Sequence, residues 1–518
     1  MLPDQWRKLQ NGSDIRGIAL EGSDGQTVNL TPAVAREIAA AFGIWLSQTK
    51  NKPVTALKIA VGNDSRLSAA VLREAIVAGL TSLGCEVFHC GLASTPAMFM
   101  TTVTPGYMYD GAIMITASHL PFNRNGMKFF TAQGGLEKQD ITAILSLAAQ
   151  GAEPRGLPGA AAPGKVVDID FISVYADLLV QKIRRGVNDP GDWERPLRGF
   201  KIVVDAGNGA GGFFVAKVLR PLGAATEGSQ FLEPDGTFPN HIPNPEDEAA
   251  MRAICNAVTA HQADLGIIFD TDVDRASAVA HNGKEINRNR IIALMAAIVL
   301  AEHPGSAIVT DSITSSGLKT FIEDRLGGVH HRFKRGYKNV INEAVRLNNA
   351  GTECHLAIET SGHGALGENY FLDDGAYLIA KILIQMAKMR LAGQGGVGSL
   401  IETLEEPLES KEFRLNILTE DFKSYGAKVL EGLRQYAVAL PGWQVEPNNY
   451  EGIRVACDQD HGDGWFLLRL SLHDPLLPLN IESNAPGGVG TIVRAVLPFL
   501  KQYDQLDIEG MNGWISGK

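Results

Sequence analysis

No stretch of this chain is apolar for long enough to cross a bilayer. The longest such run, 291–301, reads IIALMAAIVLA, about half of the ~20 residues that a spanning helix needs. Cysteine is scarce. Five residues, at 85, 90, 255, 354 and 457, stand in no spacing that builds a metal cage. An odd, scattered set fits a reducing compartment. Positive charge is in deficit: 47 Lys and Arg face 58 Asp and Glu, a net charge of −11. That balance argues against nucleic acid or an anionic membrane as the main partner. An anionic substrate must then be captured by local Arg and Lys rather than by the overall field. No fixed-period repeat of the solenoid kind is present. The amino terminus shows neither a signal peptide nor an Arg/Ser-rich transit peptide. The expected location is the cytoplasm, or a plastid stroma where a transit peptide has been removed.

What is present is ample for several domains. A chain of 518 residues is too long for one core. Its hydrophobic content of 45% and charged content of 20% fit a soluble globular protein. Apolar runs repeatedly precede helical patterns: 57–61 before 68–83, 200–204 before 213–222, 306–310 before 316–325. Such alternation argues for parallel sheets with helices on their faces. The Pro/Gly-rich stretch 151–164 reads as a loop or linker, and 393–398 as a second joint. From residue 411 the pattern changes. Strands at 413–418, 453–457 and 465–471, with a helix over 420–436, predict a small α+β domain.

The stretch 116–130 reads TASHLPFNRNGMKFF and follows the apolar run GAIMI, a predicted buried strand. A serine at the carboxyl end of a buried strand is held at the usual ligand position of an open α/β sheet. His119 and Lys128 bring a titratable group and a cation to the same loop. A capped strand-to-loop turn would read the same way in isolation. A second strand end changes the balance. The run LGIIF is followed by Asp270-Thr271-Asp272-Val273-Asp274-Arg275. Carboxylates at alternate positions of an extended loop point the same way and converge. Three carboxylates that close repel one another and call for a cation. Oxygen ligands select a hard ion, and three of them leave room for phosphate oxygens, which suits Mg²⁺. A calcium loop starts similarly, but Arg275 stands where its glycine is required.

With these residues the chain resembles the α-D-phosphohexomutase superfamily, the phosphoglucomutase and phosphomannomutase enzymes. The resemblance runs from about residue 12 into the last hundred residues. Its phosphoserine loop matches Thr116 to His119, its metal loop Asp270 to Arg275, and its sugar loop Glu359-Thr360-Ser361-Gly362-His363. Its phosphate loop matches Arg469 to Pro475 more weakly. Lesser matches include Ser13 to Gly17, Gly62 to Arg66, Asp205 to Gly209 and Asp235 to Pro239. The resemblance implies three α/β domains with mixed or parallel sheets and helices on both faces, plus a smaller C-terminal α+β domain, around a central cleft. The expected bounds are 1–165, 166–295, 296–405 and 406–518. It implies that Ser118 carries a phosphoryl group and that Asp270, Asp272 and Asp274, with that serine, bind Mg²⁺. It implies interconversion of hexose 1-phosphate and hexose 6-phosphate, of glucose or mannose, with a hexose 1,6-bisphosphate as intermediate and activator. Arg16, His119, Lys128 and Arg275 form the implied catalytic shell. Lys128 is the favoured proton-transfer group, provided burial or neighbouring cations depress its pKa. Gly336, Tyr337, Glu359, Ser361, His363, Arg469, Ser471 and His473 are the implied substrate contacts. In isolation Glu359 also reads as a helix cap and Arg469 as a strand-edge charge. The expected partners are small sugar phosphates, with no nucleic acid and no membrane, for a monomer or dimer.

The chain also departs from the pattern. Leu120 replaces the usual Asn, and the phosphate loop carries Leu470, Leu472, His473 and Asp474 where Pro, a small or polar residue, Thr and Glu are usual. These changes leave two alternatives open: a phosphoglucosamine mutase, or a sugar-phosphate-binding paralogue without turnover.

Overall fold

The computed structural model describes residues 2–22, 25–151, 162–471 and 474–517. Most of the expected linker and the loop residues Leu472 and His473 lie outside the described residues. The described chain forms two compact units. One comprises Met1–Ile291 with Ser361–Ser399, the other Ile292–Thr360 with Leu400–Lys518.

The first unit holds two sheets. The larger is mixed. The strand Lys58–Asn63 pairs in parallel with Glu86–Leu92 and with Gly111–Ile115. Arg124–Thr131 then runs antiparallel to Gly111–Ile115 on one side and to Asp14–Ile18 on the other. All five residues of Gly111–Ile115 are buried, which is why the segment reads as an unbroken apolar run. Helix Pro32–Lys50 supplies one cover. Thr31 caps it by accepting from the Val34 amide, and Pro32 opens it where no N–H is needed. Its Ile38 and Phe42 join Ile59, Val61, Ile113, Ile115 and Phe129 in one core. Burial of each such side chain is worth roughly 1.5–3 kcal/mol.

The second sheet pairs Ile202–Asp205 in parallel with Leu265–Phe269, which turns back antiparallel into Ala276–Ala280. The expectation of parallel pairing therefore holds only in part. Short connections reverse the chain at 116–123 and 270–275, and a parallel crossover needs a dozen residues or more. The expected helix near 213–222 is a short π-helix, Phe214–Leu219. Helix Gly375–Leu391 completes the unit, capped by Asp374, whose side chain accepts from the Tyr377 amide. Its first residue abuts the acidic loop. A Cβ on Gly375 would stand 2.6 Å from the Arg275 carbonyl carbon, so only glycine fits.

In the second unit Ala307–Thr310 pairs in parallel with Val329–Arg332 and Cys354–Ile358. A separate antiparallel sheet runs Glu409–Asn416, Leu476–Ser483, Gly464–Leu468, Ile453–Cys457, Trp443–Val445. Helices Phe422–Val438 and Gly488–Leu500 pack on it through Val429, Leu433, Ile492, Val493 and Val496. This is the α+β arrangement expected from 411 onward, with the strand predicted at 465–471 ending at Leu468. The five cysteines are free thiols. No described helix is long and apolar enough to cross a membrane.

Candidate active site

Both strand ends singled out in the sequence deliver their loops to one place in the first unit. Ser118 follows Gly111–Ile115 and adopts a left-handed backbone, φ +50°. Such a conformation is uncommon for a residue with a Cβ. Its amide donates to Thr116 Oγ1 at 2.9 Å. Its hydroxyl donates to Asp270 Oδ2 at 3.0 Å and accepts from Arg275 Nη2 at 2.8 Å. The acidic loop is not extended. It closes a hairpin, and Val273 bridges Asp272 and Asp274 at φ +66°. A β-branched residue there is strained, as functional loops tend to be. The turn still converges the carboxylates: ligand oxygens of Asp270, Asp272 and Asp274 lie within 4.8 Å of one another, and all three residues are buried.

The charges around this triad are unequal. Burial, Asp274 and Asp272 push the Asp270 carboxyl well above its ordinary range. Burial acts the same way on Asp274, but Lys128 and Arg275 overcome it and hold that carboxyl low. Lys128, on Arg124–Thr131, donates to Asp272 Oδ2 at 3.1 Å and to Asp274 Oδ2. Burial would lower its pKa, yet the two aspartates raise it well above the usual lysine value. The depressed pKa expected for proton transfer is thus absent here, because the carboxylates outweigh desolvation. His119 goes the other way. Burial, Arg275 and Arg16 push its imidazole down to about 3. Its Nδ1 faces Arg275 Nη2, so that nitrogen accepts and the ring is neutral. His363 is likewise held well below its usual value by burial, Arg275 and Lys128. Its Nδ1 lies 2.9 Å from Ser361 Oγ, and its Nε2 3.7 Å from Asp274 Oδ1. Arg16 donates to the Thr116 carbonyl at 2.7 Å and to Asp14 at 3.0 Å.

The triad fits a hard divalent cation. Asp272 Oδ1 and Asp274 Oδ1 are buried oxygens with no hydrogen-bond donor, a costly state unless a cation satisfies them. The donor set is all oxygen, as Mg²⁺ requires. Thr95, at the start of helix Thr95–Met100, donates its hydroxyl to Asp272 Oδ2, and its amide reaches the Asp272 carbonyl at 2.8 Å. Sequence reasoning passed over Thr95, whose only signal is the Ser-Thr-Pro helix start.

The second unit assembles a polar cluster of its own. Glu359 Oε1 accepts from the Gly336 amide at 2.6 Å. Gly336 precedes helix Tyr337–Asn349 as its N-cap residue. Arg335 donates its amide to Glu451 Oε2 at 3.2 Å, and its side chain lies 3.8 Å from Asp311. Ser312 donates its hydroxyl to the same Glu451 oxygen. Arg469 Nη1 stands 3.9 Å from Glu451 Oε1, and its Nε is buried without a hydrogen-bond partner. Burial lowers the Arg469 pKa. Ser471 Oγ accepts from the Asp474 amide at 3.2 Å, and the Ser471 amide donates to the Leu476 carbonyl at 3.0 Å. Asp311 was legible in principle, being at the carboxyl end of the buried strand Ala307–Thr310. Glu451 carries no local signal.

Three family models match in succession. They describe phosphoglucomutase/phosphomannomutase α/β/α domains I, II and III and cover residues 7–155, 181–283 and 287–405. The chain belongs to the phosphoglucomutase/phosphomannomutase family. Members of this α-D-phosphohexomutase superfamily are phosphotransferring isomerases. Similar proteins include a phosphoglucomutase of Neisseria gonorrhoeae, 30% identical over 94% of this chain and 95% of its own length. A phosphoglucomutase/phosphomannomutase of Thermococcus kodakarensis is 31% identical over 92% and 95%. Among solved structures, a phosphoglucomutase/phosphomannomutase family protein of Burkholderia thailandensis superposes with a TM-score of 0.75 at 26% identity, over 97% and 98% of the two chains. Metal dependence in this family agrees with an aspartate triad able to hold Mg²⁺.

Proposed function

We propose that this protein is a Mg²⁺-dependent phosphohexomutase that interconverts the 1- and 6-phosphates of glucose and mannose through a phosphoserine at Ser118. The observation that carries this is the Ser118 hydroxyl, held between Asp270 and Arg275 beside the aspartate triad. The phosphoryl donor that primes and sustains the cycle is a hexose 1,6-bisphosphate. In the first half-reaction the Ser118 Oγ–P bond breaks as a P–O bond forms to a sugar hydroxyl, which gives up its proton, and the bisphosphate results. The second half runs the same chemistry backwards from the other carbon. Transfer of this kind needs in-line positioning and charge stabilisation above all. Bound at Asp270, Asp272 and Asp274, Mg²⁺ supplies neutralising charge for the phosphoryl group and for the carboxylates that hold Lys128.

Arg275 aims a guanidinium at the serine oxygen and stabilises charge as it develops there. Lys128 transfers the proton only if its ion pairs to Asp272 and Asp274 are released first. His119 and His363, neutral in their surroundings, orient neighbouring groups. In the second unit Gly336, Tyr337, Glu359, Arg469 and Ser471 serve the sugar and its distal phosphate, and Arg335 adds a cation beside Arg469. The buried, unpartnered Arg469 Nε supports that assignment.

The deciding experiment is a coupled assay of purified protein with glucose 1-phosphate, mannose 1-phosphate and glucosamine 1-phosphate, each with a trace of the matching bisphosphate. Turnover of the first two supports the proposal. Turnover of the third alone assigns a glucosamine mutase. Sugar phosphate binding with no turnover of any assigns a non-catalytic paralogue.

A further inference from the structure

Ser118 does not hold its strained backbone by itself. Four backbone carbonyls of its loop point into a single side chain, that of Arg66. Nη1 donates to the Pro121 carbonyl at 2.8 Å and to the Arg124 carbonyl at 2.9 Å. Nη2 donates to the Leu120 carbonyl at 2.6 Å and to the carbonyl of Ser118 itself. The guanidinium is fully buried. Its Nε faces Asp64 Oδ2 at 3.4 Å, with both side chains out of solvent. Asp64 Oδ1 also accepts the Arg66 amide at 3.0 Å, and the Asp64 amide donates to Ile115 at 3.1 Å, the last residue before the loop. The Phe238 ring packs over the guanidinium, 5.4 Å from centroid to Cζ. Both Asp64 and Arg66 follow Lys58–Asn63, the strand neighbouring Gly111–Ile115.

We propose that Arg66, oriented by Asp64, is a positioning residue that fixes the 116–124 loop so that Ser118 Oγ faces the aspartate triad. The physical case is one of matching. A loop of this length has several accessible conformations, and the observed one places a non-glycine residue at positive φ, which costs on the order of 1–2 kcal/mol. The carbonyl oxygens of such a loop are acceptors that need donors when buried. A planar fork with five donors satisfies four of them at once and keeps one orientation. Turning the Ser118 carbonyl towards Arg66 also keeps that negative oxygen away from a phosphoryl dianion. A lysine offers the same charge without the fork, so it cannot hold four carbonyls in register.

The inference rests on the reading of Ser118 as the phosphoryl carrier, and the test separates the two. Arg66→Lys and Asp64→Asn are made in the full chain. Steady-state kinetics are measured with glucose 1-phosphate, and Ser118 phosphorylation by mass spectrometry after exposure to glucose 1,6-bisphosphate. Amide exchange is followed over 116–124. In Arg66→Lys we expect kcat to fall about 100-fold or more with KM within about threefold, the pattern of a lost transition-state alignment. Exchange should rise in 116–124 and stay unchanged in the Pro32–Lys50 helix. Asp64→Asn, which keeps the fork but loosens its orientation, should fall between wild type and Arg66→Lys on both measures. The proposal is overturned if Arg66→Lys keeps kcat within about threefold, or if exchange rises across the whole first unit in both variants. An absence of phosphate on wild-type Ser118 removes the carrier assignment instead, and loop exchange still decides whether Arg66 holds the loop.

Discussion

Arg275 spans the two loops that meet at Ser118: its Nη2 donates to Ser118 Oγ at 2.8 Å, and its Nε to Asp270 Oδ2 at 3.1 Å. One side chain therefore ties the serine to the metal loop. Its guanidinium is buried, and nearby carboxylates more than offset the desolvation that lowers its pKa, so the charge is permanent. Arg275→Lys keeps the charge and loses the second donor. By analogy with removal of one donor from a preorganised site, kcat should drop about 10²- to 10³-fold. Activity within tenfold of wild type would mean that charge alone suffices.

Ser118→Ala removes the only oxygen that can carry the phosphoryl group in this reading. Turnover should vanish with bisphosphate present, while calorimetric binding of glucose 1-phosphate stays near the wild-type value. Residual turnover above a few per cent would place the transferred group elsewhere.

Much of this site was legible because buried strands announce themselves. Ser118 and Asp270 each follow a short apolar run, and the turn residues after 115 and 269 mark where the chain leaves the sheet. What was not legible is long-range. The sequence 124–131 gives no sign that it runs antiparallel beside Gly111–Ile115, which is what sets Lys128 against Asp272 and Asp274. Proton transfer by Lys128 called for a depressed pKa, and the pKa rises because of those two partners. Arg66 was visible only as part of a motif, since its four carbonyl acceptors lie more than fifty residues away. Glu451 and Thr95 act through contacts that no local pattern encodes.

Metal removal gives a direct reading of the triad. EDTA should abolish turnover, and Mg²⁺ should restore it. Asp272→Asn should weaken Mg²⁺ activation strongly, since it removes a carboxylate whose Oδ1 is buried without a donor. Full activity in metal-free buffer, or rescue by Zn²⁺ alone, contradicts the oxygen-ligand assignment.

The C-terminal sheet carries a pH dependence of its own. Burial pushes the Glu482 carboxyl from 4.5 up to about 7, against the pull of Arg454 and the Trp465 indole, which donates at 2.9 Å. A raised carboxyl pKa means that the folded state binds the proton more tightly than the unfolded one. The associated stability is fully present below pH 4.5 and is lost as pH rises towards about 7, a change of about 3 kcal/mol. Glu482→Gln should flatten this slope. Amide exchange in Gly464–Leu468 and Leu476–Ser483 should rise between pH 5 and 8 in the wild type, after correction for intrinsic rates, and much less in the variant. Equal slopes would show that Arg454 keeps the carboxylate charged throughout.

Arg469 offers the sharpest test of the phosphate assignment in the second unit. Its guanidinium is mostly buried, its Nη1 is 3.9 Å from Glu451, and its Nε has no hydrogen-bond partner. A buried donor left in that state is costly, unless a ligand completes it. A phosphate oxygen is the acceptor that suits a guanidinium edge. Losing such a partner typically costs about 2–5 kcal/mol, so Arg469→Ala should raise KM about 30-fold or more. If the distal phosphate is gripped in either orientation of the sugar, the effect should appear with both the 1-phosphate and the 6-phosphate. Arg469→Lys should recover only part of it, having the charge without the planar fork. The Asp474 amide to Ser471 Oγ hydrogen bond does not involve Arg469, so the unfolding temperature should hardly move. A KM rise confined to one of the two substrates would show that Arg469 recognises the sugar's orientation and not its phosphate.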